Sequence, residues 1–250
     1  MTQTVVVKAN DLIQKSRFNL SIQQQKIILF LISQINYKDE EFKEYEFSIQ
    51  DFCKVCGIDY RSGSKYKQVK ESIKNIADKS LWIEVAEDDI RLLRWISKAN
   101  IHPKKGTIQI RLDEDMKPFL LHLKANFTEY KLLWTLKFKS KYAIRLYELV
   151  KSMHYEEDRI YERKFSLEEL QKLMGAEVYT RFKDFRIYAL EKAIEEINKY
   201  SDKTVEYIPL KNGRAVSAIG LRVKSKSFKE SMELYSQIKD EFGLNQLRLY

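Results

Sequence analysis

The sequence predicts an α+β chain of two tandem winged-helix domains, each a helix-turn-helix followed by a β-hairpin wing, and three observations carry that reading. FSIQDFCKVCGI at Phe47 to Ile58 is paralleled by FSLEELQKLMGA at Phe165 to Ala176, with the same cap position, short amphipathic run and terminal glycine. Each copy is followed by a longer helical periodicity and then by strand-like runs. Each is also preceded by an apolar helix, so the order of elements repeats as well as the local motif.

In the first half a helix is expected over Ser21 to Ile35, which contains the most apolar run of the chain, Ile27 to Ile32. After the first motif and Ser64, the side chains Tyr66, Val69, Ile73, Ile76 and Ser80 recur at three and four residues, the spacing of one helix face. Strands are then expected at Leu81 to Ala86, at Ile90 to Ser97 and, past the loop HPKKG, at Thr107 to Leu112. Trp82, Trp95 and Trp134 fall in expected strands, where core packing is the default role of an indole. The join between domains is placed within Asp113 to Lys131, giving units of residues 1–125 and 126–250.

In the second half Ser140 caps a helix over Lys141 to Met153. Ser166 and Glu169 have capping-box spacing, Phe165 and Leu170 staple spacing, and Gly175 is placed as the left-handed stop. Phe182, Phe185, Ala189, Ala193, Ile197 and Tyr200 then define the apolar face of a longer helix ending near Lys199. Val205, Tyr207 and Ile208 lead to Asn212-Gly213, a pair suited to a type I′ hairpin turn, before Val216 to Val223 returns. Ser227 and Glu230 suggest one more capped helix, to about Phe242.

Composition narrows the function classes. The 250 residues are 32% charged and 12% aromatic, a globular balance, and the net charge of +9 arises from 45 basic against 36 acidic residues. Charges are therefore interspersed, and only local clustering points to a partner. The opening MTQTVVVKAND meets Lys8 and Asp11 too early for a secretory h-region, and the two cysteines are few. No run reaches the ~20 apolar residues of a membrane span. A cytoplasmic protein with no membrane partner is expected.

Enzymatic chemistry lacks its residues. His102, His122 and His154 are isolated, so a metal-binding His-x-His pair is absent, and no G-x-x-x-x-G-K-[ST] loop occurs among the 7 glycines. Cys53 and Cys56 form a C-x-x-C with no second ligand pair nearby, which favours packing over zinc. Glu87, Asp88 and Asp89 read as a solvated turn. No catalytic residue, metal site or cofactor is expected.

What remains is binding. In a helix-turn-helix the second helix enters the major groove while the wing and first helix meet phosphates. On the first such helix Lys67, Gln68 and Glu71 lie opposite the apolar face, with Lys65, Lys70 and Lys74 beside them. On the second, Arg181, Asp184, Tyr188 and Glu191 lie opposite Ala189 and Ala193, with Lys183 adjacent. Arg186 falls toward the apolar side at strict 3.6-residue spacing and is retained because a long guanidinium can snorkel. Tyr60 to Lys70 holds Arg61, Lys65, Lys67 and Lys70 with no acid, and Tyr207 to Lys229 holds six cations with no acid, Lys211 and Arg214 at the expected wing. Double-stranded DNA fits both runs, because cations there displace condensed counterions without reading sequence.

VVVKANDLIQ, QQQKIILFLISQI, Asp115-Met116-Lys117-Pro118, FTEYKLLWTLKFKSKYAIRLYELVK and KAIEEINKYSDKTVEYIPLKNGR together resemble the iteron-binding plasmid replication initiator proteins, over about Val5 to Lys224. The resemblance implies binding to direct repeats at an origin, help in opening the duplex, and recruitment of a host initiator and the replicative helicase. It also implies a homodimer, formed through the N-terminal domain and in equilibrium with monomer, that represses its own promoter. In that family the second recognition helix commonly begins with a basic cluster after Asp-Phe; here Asp184-Phe185-Arg186 is followed by Ile187 and Tyr188. A tandem winged-helix transcription regulator, or a module using such folds for protein partners, are the alternative readings.

Overall fold

The computed structural model describes residues 5–36, 38–56, 65–153 and 159–242. Strand β1 (Val5–Ala9), helix α1 (Asn10–Gln14) and the short strand β2 (Ser16–Arg17) open the chain. Helix α2 (Ile22–Ile32) comes next, closed by a reciprocal box: the Ser21 hydroxyl accepts from the Gln24 N–H, and the Gln24 side chain accepts from the Ser21 N–H. Ile27 to Ile32 are all buried, as befits a C-terminal half of the helix that is apolar on every side.

The first unit continues with β3 (Tyr45–Ser48), α3 (Ile49–Cys56), α4 (Lys65–Ala77), β4 (Ser80–Ala86), β5 (Asp89–Arg94), β6 (Ile96–His102) and β7 (Thr107–Leu112). A 3-10 turn (Glu114–Met116), the short helix α5 (Lys117–Leu120), β8 (Phe127–Lys131) and α6 (Leu133–Leu136) lead into α7 (Lys141–Met153). After α7 come β9 (Tyr161–Ser166), α8 (Leu167–Met174), α9 (Phe182–Phe185), a π-helical turn (Arg186–Leu190), α10 (Glu191–Tyr200), β10 (Lys203–Asn212) and β11 (Ala215–Ser225), the helices and wing of the second unit. Helix α11 (Phe228–Glu241), with its Ser227/Glu230 capping box, packs its Tyr235 ring edge-on against Trp134.

Duplication extends to strand order. The sheets are β3-β7-β6 and β9-β11-β10, so in each unit the strand before the first helix pairs with the return strand of the wing. The cap serines occupy matching places: Ser48 pairs with Thr107 and Ser166 with Ala218, and their hydroxyls accept from the Asp51 and Glu169 N–H groups. Gly175 ends α8 at φ +65°, ψ +41°, the expected left-handed stop. The hairpin β4–β5, paired with β2 in its own three-stranded sheet, is an insertion in the first unit with no counterpart among the described residues of the second.

Several expectations are corrected. Ile90 to Ser97 is not one strand, because the chain turns at buried Trp95 and changes sheets. Trp134 is helical, and Trp82, though in a strand, is exposed. Ser80 starts β4 and is exposed rather than closing the apolar face of α4. The second wing does not turn as type I′: Asn212 pairs with Ala215, so Gly213 and Arg214 are the central residues, and only Gly213 has positive φ (+62°). Positive φ at the first central position alone is the II′ pattern, and a bulge between Leu210 and Lys211 supplies the change of register. Gly57, Arg61, Ser64 and His154 lie outside the described residues.

Buried apolar side chains form one continuous cluster, with α7 at its centre. Apart from Lys141 and Lys151, every α7 residue is buried, and the helix packs on α10, α8, α1 and α2. Strand β1 pairs antiparallel with β8, Val5 opposite Lys131 through Ala9 opposite Phe127. Arg145 of α7 donates to the carbonyls of Ile13, Ser16 and Leu173, tying α1, β2 and the end of α8 to one guanidinium. Its burial holds its pKa down to about 10. Among the described residues, no helix is long and apolar enough to cross a membrane.

Candidate nucleic-acid interface

In the first unit the apolar spacing of α4 buries Val69, Ser72, Ile73 and Ile76, and the Ser72 hydroxyl donates to the Gln23 side chain on α2. The opposite face presents Lys67, Lys70, Glu71 and Lys74 to solvent, with Gln68 half-buried. Lys67, Lys70 and Lys74 have no ion-pair partner among the described residues, so their charge is available to an anion. Lys65 begins the helix. At that same end of the helix the Tyr66 hydroxyl donates to the Pro103 carbonyl, 3.3 Å, fixing α4 to the tip of the β6–β7 wing.

That tip carries Lys104 and Lys105, both exposed, ahead of Gly106 at φ +66°. Local sequence marks this segment only as a loop. The duplication holds the stronger signal, because HPKKG stands between paired strands where the second unit has NGR.

The second unit departs from a straight helix. The π turn over Arg186–Leu190 inserts an extra residue per turn and rotates the remainder of the helix by about 100° relative to a 3.6-residue extrapolation. Arg186 is therefore not turned into the apolar side; its side chain is 41% exposed. Its Nε lies 3.6 Å from Glu191 Oε1, and the same oxygen accepts from the Tyr207 hydroxyl of β10 at 2.7 Å. Partial burial first, and then the Glu191 carboxylate, push the Tyr207 phenol up to about 12. Arg181 precedes α9 and pairs its Nε with Asp184 at 2.7 Å, while Lys183 is exposed beside them. Tyr188 is half exposed, stacked on Tyr179 at 6.0 Å, with the Lys192 ammonium 5.5 Å from its ring centre.

The wing of this unit separates cations that the sequence could only group together. Arg222 faces Glu162 at 3.3 Å and Glu206 at 3.9 Å. Lys226 donates to the carbonyls of Asn198 and Ser201, and burial lowers its pKa. Arg222 is thus paired with carboxylates on the sheet surface, and Lys226 is held by carbonyls of the fold. Lys211 and Arg214, at the hairpin tip, are exposed and have no ion-pair partner among the described residues.

The cysteines of α3 are buried thiols, and burial raises the Cys56 pKa well above its usual value. Among the described residues no cluster of three or more His, Cys, Asp or Glu side chains could hold a metal ion.

Two units, each exposing a second helix and a cation-tipped hairpin beside it, define a tandem winged-helix protein of the DNA-binding class. The model of the family described as "Initiator Replication protein, WH1" matches residues 5–151, and that of "Initiator Rep protein, WH2" matches residues 166–223. The chain belongs to this initiator replication protein family. Among solved structures, the Pi initiator protein in complex with iteron DNA is similar over 91% of this chain and 99% of that one, with TM-score 0.70 and 17% identity, a likeness of fold. The WH1 domain of MSBI1.176, a replication protein isolated from a multiple sclerosis patient, matches at 16% identity and TM-score 0.30 over 40% of this chain and 79% of that one.

Proposed function

We propose that this initiator binds direct repeats of double-stranded DNA at a plasmid origin, with residues 126–250 reading base sequence and residues 1–125 supplying backbone contacts and dimerisation. The observation that carries the reading is the repeated placement of cations without an ion-pair partner among the described residues on the hairpin tips, Lys104 and Lys105 in one unit and Lys211 and Arg214 in the other, beside an exposed second helix. Cations there neutralise phosphates and set register, leaving Arg181, Lys183, Arg186 and Tyr188 to meet base edges. Opening of the duplex and recruitment of a host initiator and the replicative helicase follow from occupancy of the repeats.

A dimer in equilibrium with monomer, repressing its own promoter, is supported by the inserted hairpin. Trp82, Ile90 and Leu92 share its outer face, each more than half exposed, with Trp82 directly opposite Leu92. A second copy of the chain is the occupant we assign to that face.

Footprinting on DNA flanking the gene tests the reading. Protected repeats should show successive major grooves covered about 10 bp apart. A minimal plasmid carrying those repeats should replicate only when the protein is supplied. Absence of sequence-selective protection at physiological salt overturns the proposal. Trp82→Glu with Leu92→Glu should shift the protein to monomer by sedimentation while leaving repeat binding intact; an unchanged oligomer overturns the dimer face.

A further inference from the structure

We propose that Glu191 is a positioning residue for recognition: it orients Arg186 toward one base pair and locks that orientation to the wing through Tyr207. The inference rests on the DNA-binding reading above and assigns a role within that surface.

A carboxylate on a surface that approaches phosphates is repelled by them, so its presence beside the recognition residues needs a compensating interaction. Glu191 has two. Its Oε1 accepts the Tyr207 hydroxyl at 2.7 Å and faces Arg186 Nε at 3.6 Å. Arg186 Nε is sealed from solvent with no hydrogen-bond partner, although 41% of the side chain is exposed. The guanidinium is thus turned with its Nε edge toward Glu191, and its terminal nitrogens have no partner among the described residues. A guanidinium whose Nε edge is buried against a carboxylate has fewer orientations open to it and leaves its terminal nitrogens for bidentate donation to a guanine edge.

The π turn makes this geometry possible. Arg186 and Glu191 are five residues apart, a separation that diverges by about 140° on a regular α-helix and closes when an i to i+5 turn lies between them. Tyr207 stands on β10, the edge strand of the wing sheet, so the wing and the recognition helix share one oxygen atom. The first unit achieves the same tie differently, through Tyr66 and Pro103.

Selection from a pool of randomised duplexes tests the assignment, using the full chain and its variants Arg186→Ala, Glu191→Gln, Tyr207→Phe and the double variant Arg186→Ala/Glu191→Gln. The wild type should enrich one motif. Arg186→Ala should relax one base pair of it, by roughly five- to 150-fold. Glu191→Gln should relax the same base pair, Tyr207→Phe should do so less, and the double variant should lose no more than Arg186→Ala. Circular dichroism confirms that each variant folds, and the isosteric Tyr207→Phe keeps the test open if Glu191→Gln does not. Relaxation of a different base pair by Glu191→Gln makes Glu191 a reader in its own right and overturns the proposal, as does unchanged preference in either Arg186→Ala or Glu191→Gln. A wild-type chain that enriches no sequence sinks the DNA-binding reading itself, and this inference with it.

Discussion

Lys8 Nζ lies 2.6 Å from Glu148 Oε1 with both side chains almost wholly buried, so an ion pair joins the first strand to the central helix across 140 positions. The same oxygen accepts from the Tyr130 hydroxyl at 2.5 Å. Burial is the largest influence on Lys8 and lowers its pKa, which the Glu148 charge only partly offsets. Replacing Lys8 by Met leaves the buried Glu148 carboxylate with the neutral Tyr130 hydroxyl as its hydrogen-bond donor and only through-space attraction to the buried Arg145 guanidinium. Denaturant melts should show a loss of about 3–5 kcal/mol for Lys8→Met, much of it recovered in Lys8→Met/Glu148→Leu. Equal losses in the single and double variants would mean that packing, not the stranded charge, sets the cost.

Tyr130 gives a pH signature for the same cluster. Burial, then Glu148, raises its phenol well above 10 in the folded chain, whereas the unfolded phenol ionises near 10. Above pH 10 the folded state therefore holds a proton that the unfolded state has released. The Tyr130 contribution is complete below that pH and declines as pH rises, by up to about 1.4 kcal/mol per unit. The stability difference between wild type and Tyr130→Phe should accordingly narrow above pH 10 in parallel urea melts. A constant difference from pH 9 to 11 would contradict the raised phenol.

Two glycines separate backbone strain from crowding. Gly175 and Gly213 both have φ near +60°, but a Cβ at Gly175 would come 3.3 Å from the Phe18 carbonyl oxygen, while one at Gly213 meets nothing within 4 Å. Gly213→Ala should cost about 1 kcal/mol from conformation alone. Gly175→Ala should cost more, since it also presses α8 against the segment between β2 and α2. Thermal melts in which both variants lose the same amount would show that Phe18 yields freely.

The repeated caps and the left-handed glycine are legible in the sequence because Ser166, Glu169 and Gly175 act within a few residues of one another, as do Ser48 and Asp51. Helix phase is legible wherever a regular α-helix runs, as in α4. It fails at Arg186, because a π turn changes the phase without leaving a mark in the apolar spacing. The II′ wing turn escapes a local reading because a register shift at Leu210/Lys211 moves the turn by one residue. Trp82 reads as a core indole and is not, since alternation along β4 says that two faces exist but not which one meets the rest of the protein. The partners of Lys8, Glu148 and Arg145 lie more than 100 positions away along the chain or on separate elements, beyond any local pattern. Among site residues, Lys104 and Lys105 become visible only when the strand order identifies their hairpin as the first wing.

The acid-free run Tyr207 to Lys229 yields the sharpest contrast, because its cations divide by role although the sequence presents them alike. Lys211 and Arg214 have no ion-pair partner among the described residues and stand at the tip, where each should neutralise about one phosphate. Lys226 instead donates to the Asn198 and Ser201 carbonyls, closing the end of α10. In titrations against a protected repeat, Lys211→Ala with Arg214→Ala should therefore reduce the slope of log K against log salt by about 0.9 for each phosphate no longer neutralised, leaving base preference intact. Lys226→Ala should leave that slope alone and lower stability by roughly 1–3 kcal/mol, the cost of stranding two part-buried carbonyls. If Lys226→Ala flattened the salt dependence as much as the tip variants do, the charge would be acting on DNA through the whole strand, and the tip would lose its special place in the interface.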